Sequence, residues 1–315
     1  MHPLVIYLGR WRYLLSGLLM IGFTIASIVI TLSTLREEAI ETHRNIAKLH
    51  AHTFEEHFTQ TLQNIDYTMD HIPKLSDEQV APQVLFDIFL DLLKRTPYLR
   101  SFSLVDREGF ISVSSHQPNV GKRISMENFL PIPFADTPLL RIGIPWMGRD
   151  FEFAHPSNPQ FPMPPESINF IPLLKKVFFG NKPYYLVATL NPDYFTNRYS
   201  QALPIKDGVV SLWRLDGILL FSTDNSLHVG LSHFNTTQLE IDNTEDLLTH
   251  LENNKHSPIS AYRLARSMPF VIEVEMDQTI ALHYWDQERN KILWINILFI
   301  SLRTARTSSH LTQYP

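Results

Sequence analysis

The chain has 315 residues, 44% hydrophobic and 19% charged, with a formal net charge of −5. It is long enough for two domains with real cores, and its charge is too mild to imply a nucleic-acid partner. Cysteine is absent, which excludes a disulfide framework and thiolate chemistry, and 21 prolines against 11 glycines favour ordered loops over flexible linkers.

Residues 1–12 carry Arg10 and Arg12 and precede a charge-free run of 23 residues, Tyr13 to Leu35. At 1.5 Å per residue the run reaches about 34 Å, enough to cross a bilayer core. Glu37, Glu38 and Glu41 come soon after it. The positive-inside rule therefore keeps residues 1–12 cytoplasmic and exports the chain beyond Leu35. The competing reading is a cleaved signal peptide, but the run is too long and lacks a clear small-residue cleavage site.

Residues 36–75 read as a long amphipathic helix. Leu35, Ala39, Ile46 and Leu49 lead into the regular series Phe54, Phe58, Leu62, Ile65, Met69, Ile72. The stripe suits packing on the helix's own domain or against a second copy of itself. His43, His50 and His57 recur at seven-residue steps, about 10.5 Å of axial rise, so no two can ligate one ion. They are expected to be exposed helix histidines.

Residues 76–204 are expected to form one module and residues 205–290 a second. Ser76 to Thr96 reads as a helix with Val84, Leu85, Ile88, Phe89, Leu92 and Leu93 on its apolar face. Then comes a phrase that the chain writes twice. Leu99 to Ser115 reads LRSFSLVDREGFISVSS, followed by Val120-Gly121; Val209 to Thr223 reads VVSLWRLDGILLFST, followed by Val229-Gly230. Each is a strand, an Asp-Gly type turn, a second strand ending in Ser, and a loop carrying Val-Gly. The copies lie about 110 residues apart and imply two similar modules in tandem. Asp106 and Asp216, with Gly109 and Gly217, are expected to shape equivalent turns, and Ser114 and Ser222 to end equivalent strands.

Between the copies, Pro131 to Pro172 holds ten of the prolines and reads as ordered loop and short strand. Tyr184 to Leu190 reads as a strand and Pro192 to Gln201 as a short helix. In the second module Leu239 to Asn253 looks helical, Phe270 to Met276 reads as a strand, and Asp277 to Asn290 as a helix leading back to the membrane. Residues 291–302 look like an incomplete second transmembrane segment, whose apolar part, Ile292 to Leu302, is only 11 residues long. The polar tail 303–315 reads as the product of a shifted reading frame or as an interfacial end.

The order of elements and the paired hairpins, together with Leu140-Arg-Ile-Gly-Ile-Pro-Trp-Met-Gly-Arg-Asp-Phe151 and Leu186-Val-Ala-Thr-Leu-Asn-Pro-Asp-Tyr-Phe195, resemble the double Cache family of extracytoplasmic sensors. The resemblance covers roughly Arg36 to Asn290 and is nearest to the sensor regions of bacterial membrane-bound diguanylate cyclases and histidine kinases. It implies an α+β fold: a long N-terminal helix followed by two PAS-like modules, each an antiparallel sheet flanked by helices. It also implies an inner-membrane receptor with a periplasmic sensor region, working as a homodimer through the long helix. The chain departs from such receptors in lacking cyclase, phosphodiesterase and kinase motifs, so output would come from a separately encoded partner or has been lost.

In this family small ligands usually occupy the membrane-distal module, beneath the loops facing its sheet, which here points to Arg141 to Asp150. Arg141 and Arg149 suit a bidentate pair with a carboxylate or phosphate, Trp146 a cavity wall or stacking surface, and Tyr185 offers a hydroxyl. The alternative is structural: Arg149 and Asp150 pair with neighbours and Trp146 is core. Family members that bind amino acids place an Asp where this chain has Thr189, and the nearest acid, Asp193, falls past the strand, so an anionic ligand fits better than an amino acid. Three readings remain: a sensor of a small ligand, a truncated or non-signalling binding module, and a membrane-anchored periplasmic enzyme. For the last there is no Gly-x-Ser-x-Gly elbow, no His-Glu-x-x-His pair and no phosphate loop, so no catalytic residue, metal or cofactor is expected.

Overall fold

The computed structural model describes residues 3–76, 81–131, 138–158, 167–203, 208–232 and 259–312. The expected helix Leu239 to Asn253 lies outside them. The chain divides into two compact units, Met1–Asn45 with Asn254–Ile259 and Asp277–Pro315, and Ile46–Asn253 with Ser260–Met276.

A single helix, α1 (Pro3–Leu75), contains both the apolar run and the amphipathic stripe. Among the described residues it is the one helix long and apolar enough to cross a membrane, with a mean hydropathy of 2.2 in its most apolar stretch. In the first unit the side chains of that stretch are exposed, Leu18, Phe23 and Ile30 among them. The same unit holds α4 (Gln278–Ala281) and α5 (His283–Thr312). Asp277 caps α4 by accepting from the Thr279 amide and hydroxyl, both at 2.7 Å, and these bonds hold its carboxyl below the usual range. Trp285 Nε1 donates to the Leu32 carbonyl at 2.9 Å, with the Arg289 guanidinium 4.7 Å over the indole. The helix α5 continues past Arg303 through the polar tail to Thr312.

The second unit holds two antiparallel sheets. The larger runs β2 (Ile111–Ser114), β1 (Leu99–Val105), β8 (Lys182–Leu190), β7 (Asn169–Phe179), β4 (Arg141–Gly143), β3 (Phe129–Leu130), and β5 (Trp146–Met147) pairs with both β7 and β6 (His155–Pro156). The smaller runs β10 (Leu219–Ser222), β9 (Val209–Arg214), β12 (Phe270–Met276), β11 (Ile259–Leu264). The expected α+β architecture is what the chain adopts. Helix α2 (Pro82–Arg95) packs on the larger sheet, Phe89 stacking on Phe102, and α3 (Pro192–Ala202) comes directly after β8.

The stripe of α1 is buried from Phe54 to Ile72, against the unit that contains it, whereas Leu49, expected to lead into it, is exposed. Near Phe58 it meets aromatics: Phe58 lies 5.0 Å from both Phe195 and Phe270 and 6.0 Å from Phe221. One helical turn beyond Leu62 the contact becomes ionic. Lys175 of β7, 2% exposed, donates to Asp66 at 2.6 Å and Asp70 at 2.7 Å; the spacing of four puts both carboxylates on one helix face. The histidines depart from expectation because the faces they occupy are covered. All three are half-buried, His43 bonds the Ala39 carbonyl, and His57 bonds the Tyr199 hydroxyl at 3.1 Å. Burial first, and Arg198 second, hold His57 below its ordinary value.

The repeat is visible atom by atom. Ser103 and Ser114 hydroxyls share a 2.9 Å bond, and so do Ser211 and Ser222; the Phe102 amide donates to Ser115 and the Val210 amide to Thr223. Gly109 and Gly217 occupy the left-handed region (φ 90° and 84°) and close the same turn onto Asp106 and Arg214. Every one of these pairs is offset by 108 residues. Asp106 therefore corresponds to Arg214, and Asp216 to Glu108, which corrects the expected equivalence of the two aspartates.

Candidate functional site

Register decides which side chains share a face of the larger sheet. Val105 pairs with Tyr185, Ser103 with Val187, Ser101 with Thr189, Leu174 with Val187, and Arg141 with Leu174. These residues point away from α1 and α2, because the alternate set, including Phe102 and Lys175, faces those helices. Arg141, Tyr185 and Trp146 are thus brought to one face. Its apolar floor is Val105, Ile111, Phe129, Phe151, Phe170, Leu174 and Val187, with Trp146 and Tyr185 packed against it. The short strand β4 reaches this floor because Gly143 lacks a side chain: a Cβ there would stand 2.7 Å from Pro172 and 2.8 Å from Phe129.

Arg141 is 9% exposed, with its guanidinium 6.0 Å from the centre of the Tyr185 ring. Among the described residues it has no ion pair and no hydrogen bond from its side chain. Burial lowers its pKa, opposed by Tyr185. Trp146, half-buried, sits edge-on to Phe151 at 5.1 Å and stacks on Phe170 at 6.1 Å, so it walls the floor. Arg149 is exposed. Asp150 is directed elsewhere, its Oδ2 3.7 Å from His116, which stands equally far from Glu152. Its buried Oδ1 finds no hydrogen-bond partner among the described residues. The five residues singled out in the sequence therefore separate into three on the floor and two on the loop beyond it.

Ser114 and Thr189, named in the sequence, join Ser101 and Ser103, which sequence reading missed, in a polar row on the same face, all essentially buried. Thr189 receives the Ser101 amide at 2.9 Å and shares a 2.8 Å bond with its hydroxyl. Serines at alternate positions of a strand, Ser101-Phe-Ser103, were the available signal. Nothing in the sequence marked His116. Asp193 serves Arg100, pairing at 3.0 Å beside the Asn191 side chain, and burial is what most lowers the Arg100 pKa.

No protein-family model and no curated protein matches the sequence. Solved structures do match. The extracellular domain of rpHK1S-Z16, assigned as a histidine kinase, superposes with a TM-score of 0.53 at 20% identity, covering 76% of this chain and 95% of that one. The ligand-binding domain of the Pseudomonas fluorescens chemoreceptor CtaA, in complex with L-isoleucine, gives 0.51 at 13% identity, covering 80% and 98%. A domain of a sensory box/GGDEF family protein from Vibrio parahaemolyticus gives 0.50 at 12% identity, covering 76% and 97%. The chain shares the fold of these domains, in keeping with the double Cache, PAS-like resemblance of its sequence. Its neighbours are extracytoplasmic sensor domains, and the long apolar N-terminus of α1 fits a membrane anchor ahead of such a region.

The two modules treat the same face differently. In the first module it carries Arg141, Ser101 and Thr189 beside the Ser103–Ser114 pair. In the second it carries Trp213, Leu219, Tyr262 and Val271 beside the Ser211–Ser222 pair, and the buried Glu273 accepts from Trp213 Nε1 at 2.7 Å. Burial first, then Glu273, raises the Tyr262 pKa.

Proposed function

We propose that the chain is the periplasmic sensor region of a transmembrane signalling receptor and that its distal module recognises a carboxylate or other anion through Arg141. The observation that carries this reading is the Arg141 guanidinium, 9% exposed on the inner face and without an anionic partner among the described residues. A guanidinium held out of water costs several kcal/mol unless an anion and hydrogen bonds compensate. A carboxylate or phosphate satisfies it with a bidentate pair. The Tyr185 ring and hydroxyl and the Trp146 wall complete the surroundings of such a ligand. Thr189, bound to Ser101, leaves the inner face without an acid there, which favours an anion over an ammonium.

Arg10 and Arg12 place the N-terminus in the cytoplasm, and the signal passes from the distal module to α1, which pairs with its counterpart in a homodimer. An anion that binds one arrangement of the distal module better than another shifts the population toward it, and α1 carries the shift. The test is a thermal-unfolding screen of the full chain in detergent with succinate, citrate, pyruvate and inorganic phosphate, against L-isoleucine and putrescine. At a hundredfold excess over its Kd an anion adds about 2.7 kcal/mol of stability, and Arg141→Ala abolishes the gain. Stabilisation by putrescine alone, or an equal gain in the variant, overturns the reading.

A further inference from the structure

The 108-residue repeat places Arg214 where the first module has Asp106, and the exchange changes what the turn does. Asp106 serves its own hairpin, accepting from the amides of Glu108 at 3.0 Å and Phe110 at 2.8 Å. Arg214, 4% exposed, instead reaches beyond its own module. Asp216 grips it with two bonds, Nε to Oδ1 at 2.9 Å and Nη2 to Oδ2 at 2.6 Å. So oriented, Nη1 donates to two carbonyls of the other sheet, Asn128 at 2.7 Å and Ile142 at 3.2 Å. Asn128 precedes β3, and Ile142 adjoins Arg141 on β4.

We infer that Arg214 is a positioning residue for the distal site and the contact through which the distal and proximal modules sense each other. Strands β3 and β4 are two and three residues long and form the edge of their sheet, so few ladder bonds hold them. A charged donor shared between their carbonyls supplies bonds worth more than neutral ones. The planar fork uses one edge for Asp216 and the remaining nitrogen for the carbonyls, which an ammonium cannot imitate. Displacement of β4 by an anion on Arg141 therefore pulls on Ile142, then Arg214, then the β9–β10 turn. The site's identity rests on the anion-sensor proposal; the mechanical link does not.

Hydrogen–deuterium exchange of the full chain in lipid nanodiscs, without added ligand, tests it. Arg214→Met speeds exchange in peptides covering 128–131 and 140–144 by about tenfold and leaves those of β1 and β8 unchanged. Arg141→Ala alters exchange in the 209–222 hairpin of the native chain, and this effect disappears in the Arg214→Met background. Arg214→Lys, which keeps the charge beside Asp216 but not the fork, gives the same pattern and stands in if Arg214→Met does not fold. Unchanged exchange in β3 and β4, uniform acceleration throughout, or additive effects of the two substitutions overturns the inference. An anion screen without a hit would count against the ligand reading while leaving this exchange pattern in place.

Discussion

The two modules share a scaffold down to the serine pairs of their hairpins, yet their inner faces are chemically opposite. On the second module's face a buried carboxylate, Glu273, receives the Trp213 indole, and Leu219, Tyr262 and Val271 pack with that indole. The first module's face holds a buried guanidinium with no anion among the described residues, and beside the shared serine pair it adds the Ser101–Thr189 hydroxyls bonded to each other. A self-satisfied interior adds stability and has no need of a visitor, whereas an uncompensated buried charge is a standing cost that a ligand can remove. The contrast extends to α1, which meets Phe195, Phe221 and Phe270 around Phe58 and, further along, Lys175 of the first module's sheet between two aspartates.

The largest expected effect is on the aromatic anchor. Phe58→Ala, at a fully buried position, costs roughly 3–5 kcal/mol, read from thermal unfolding of the full chain. Lys175→Met costs less, about 1–3 kcal/mol, because Asp66 and Asp70 stay partly solvated when their cation is lost. Glu273→Ala removes the acceptor of the Trp213 indole and destabilises by about 1–3 kcal/mol. Arg141→Met, in the absence of ligand, is neutral or stabilises by up to about 1 kcal/mol; a loss as large as that of Glu273→Ala would erase the contrast between the faces. The smallest effect is on pH. His57 is held below its ordinary 6.5 when folded, so the unfolded chain binds the proton more readily. Its contribution is complete above pH 6.5 and declines as pH falls toward the folded value. His57→Gln flattens the decline in melting temperature between about pH 6.5 and 5, and an unchanged slope would assign it to other groups.

Much of the architecture was legible because periodicity reports burial. The series Phe54 to Ile72 named the buried face of α1, and Phe270 to Met276 coincides with β12. The repeat was legible in kind and wrong in register by two residues. Reading by the aspartates aligned Asp106 with Asp216, whereas the fold conserves the backbone requirement, a glycine at positive φ closing a four-residue turn, which aligns Gly109 with Gly217. That slip hid Arg214, whose partners lie 86 and 72 residues away. The candidate site was half legible. Arg141, Trp146 and Tyr185 converge because strand register brings them together, while Arg149 and Asp150 sit on a loop whose path the sequence did not specify. The histidines were misjudged for the same reason: a seven-residue spacing fixes axial distance but not what covers each side.

The most direct measurement is isothermal titration of the full chain in detergent with the anion that raises its melting temperature most, run in parallel on Arg141→Met. The account predicts saturable binding near one equivalent per chain in the native protein and none in the variant, with both melting normally beforehand. Equal binding by the two proteins would contradict it and move the site away from Arg141.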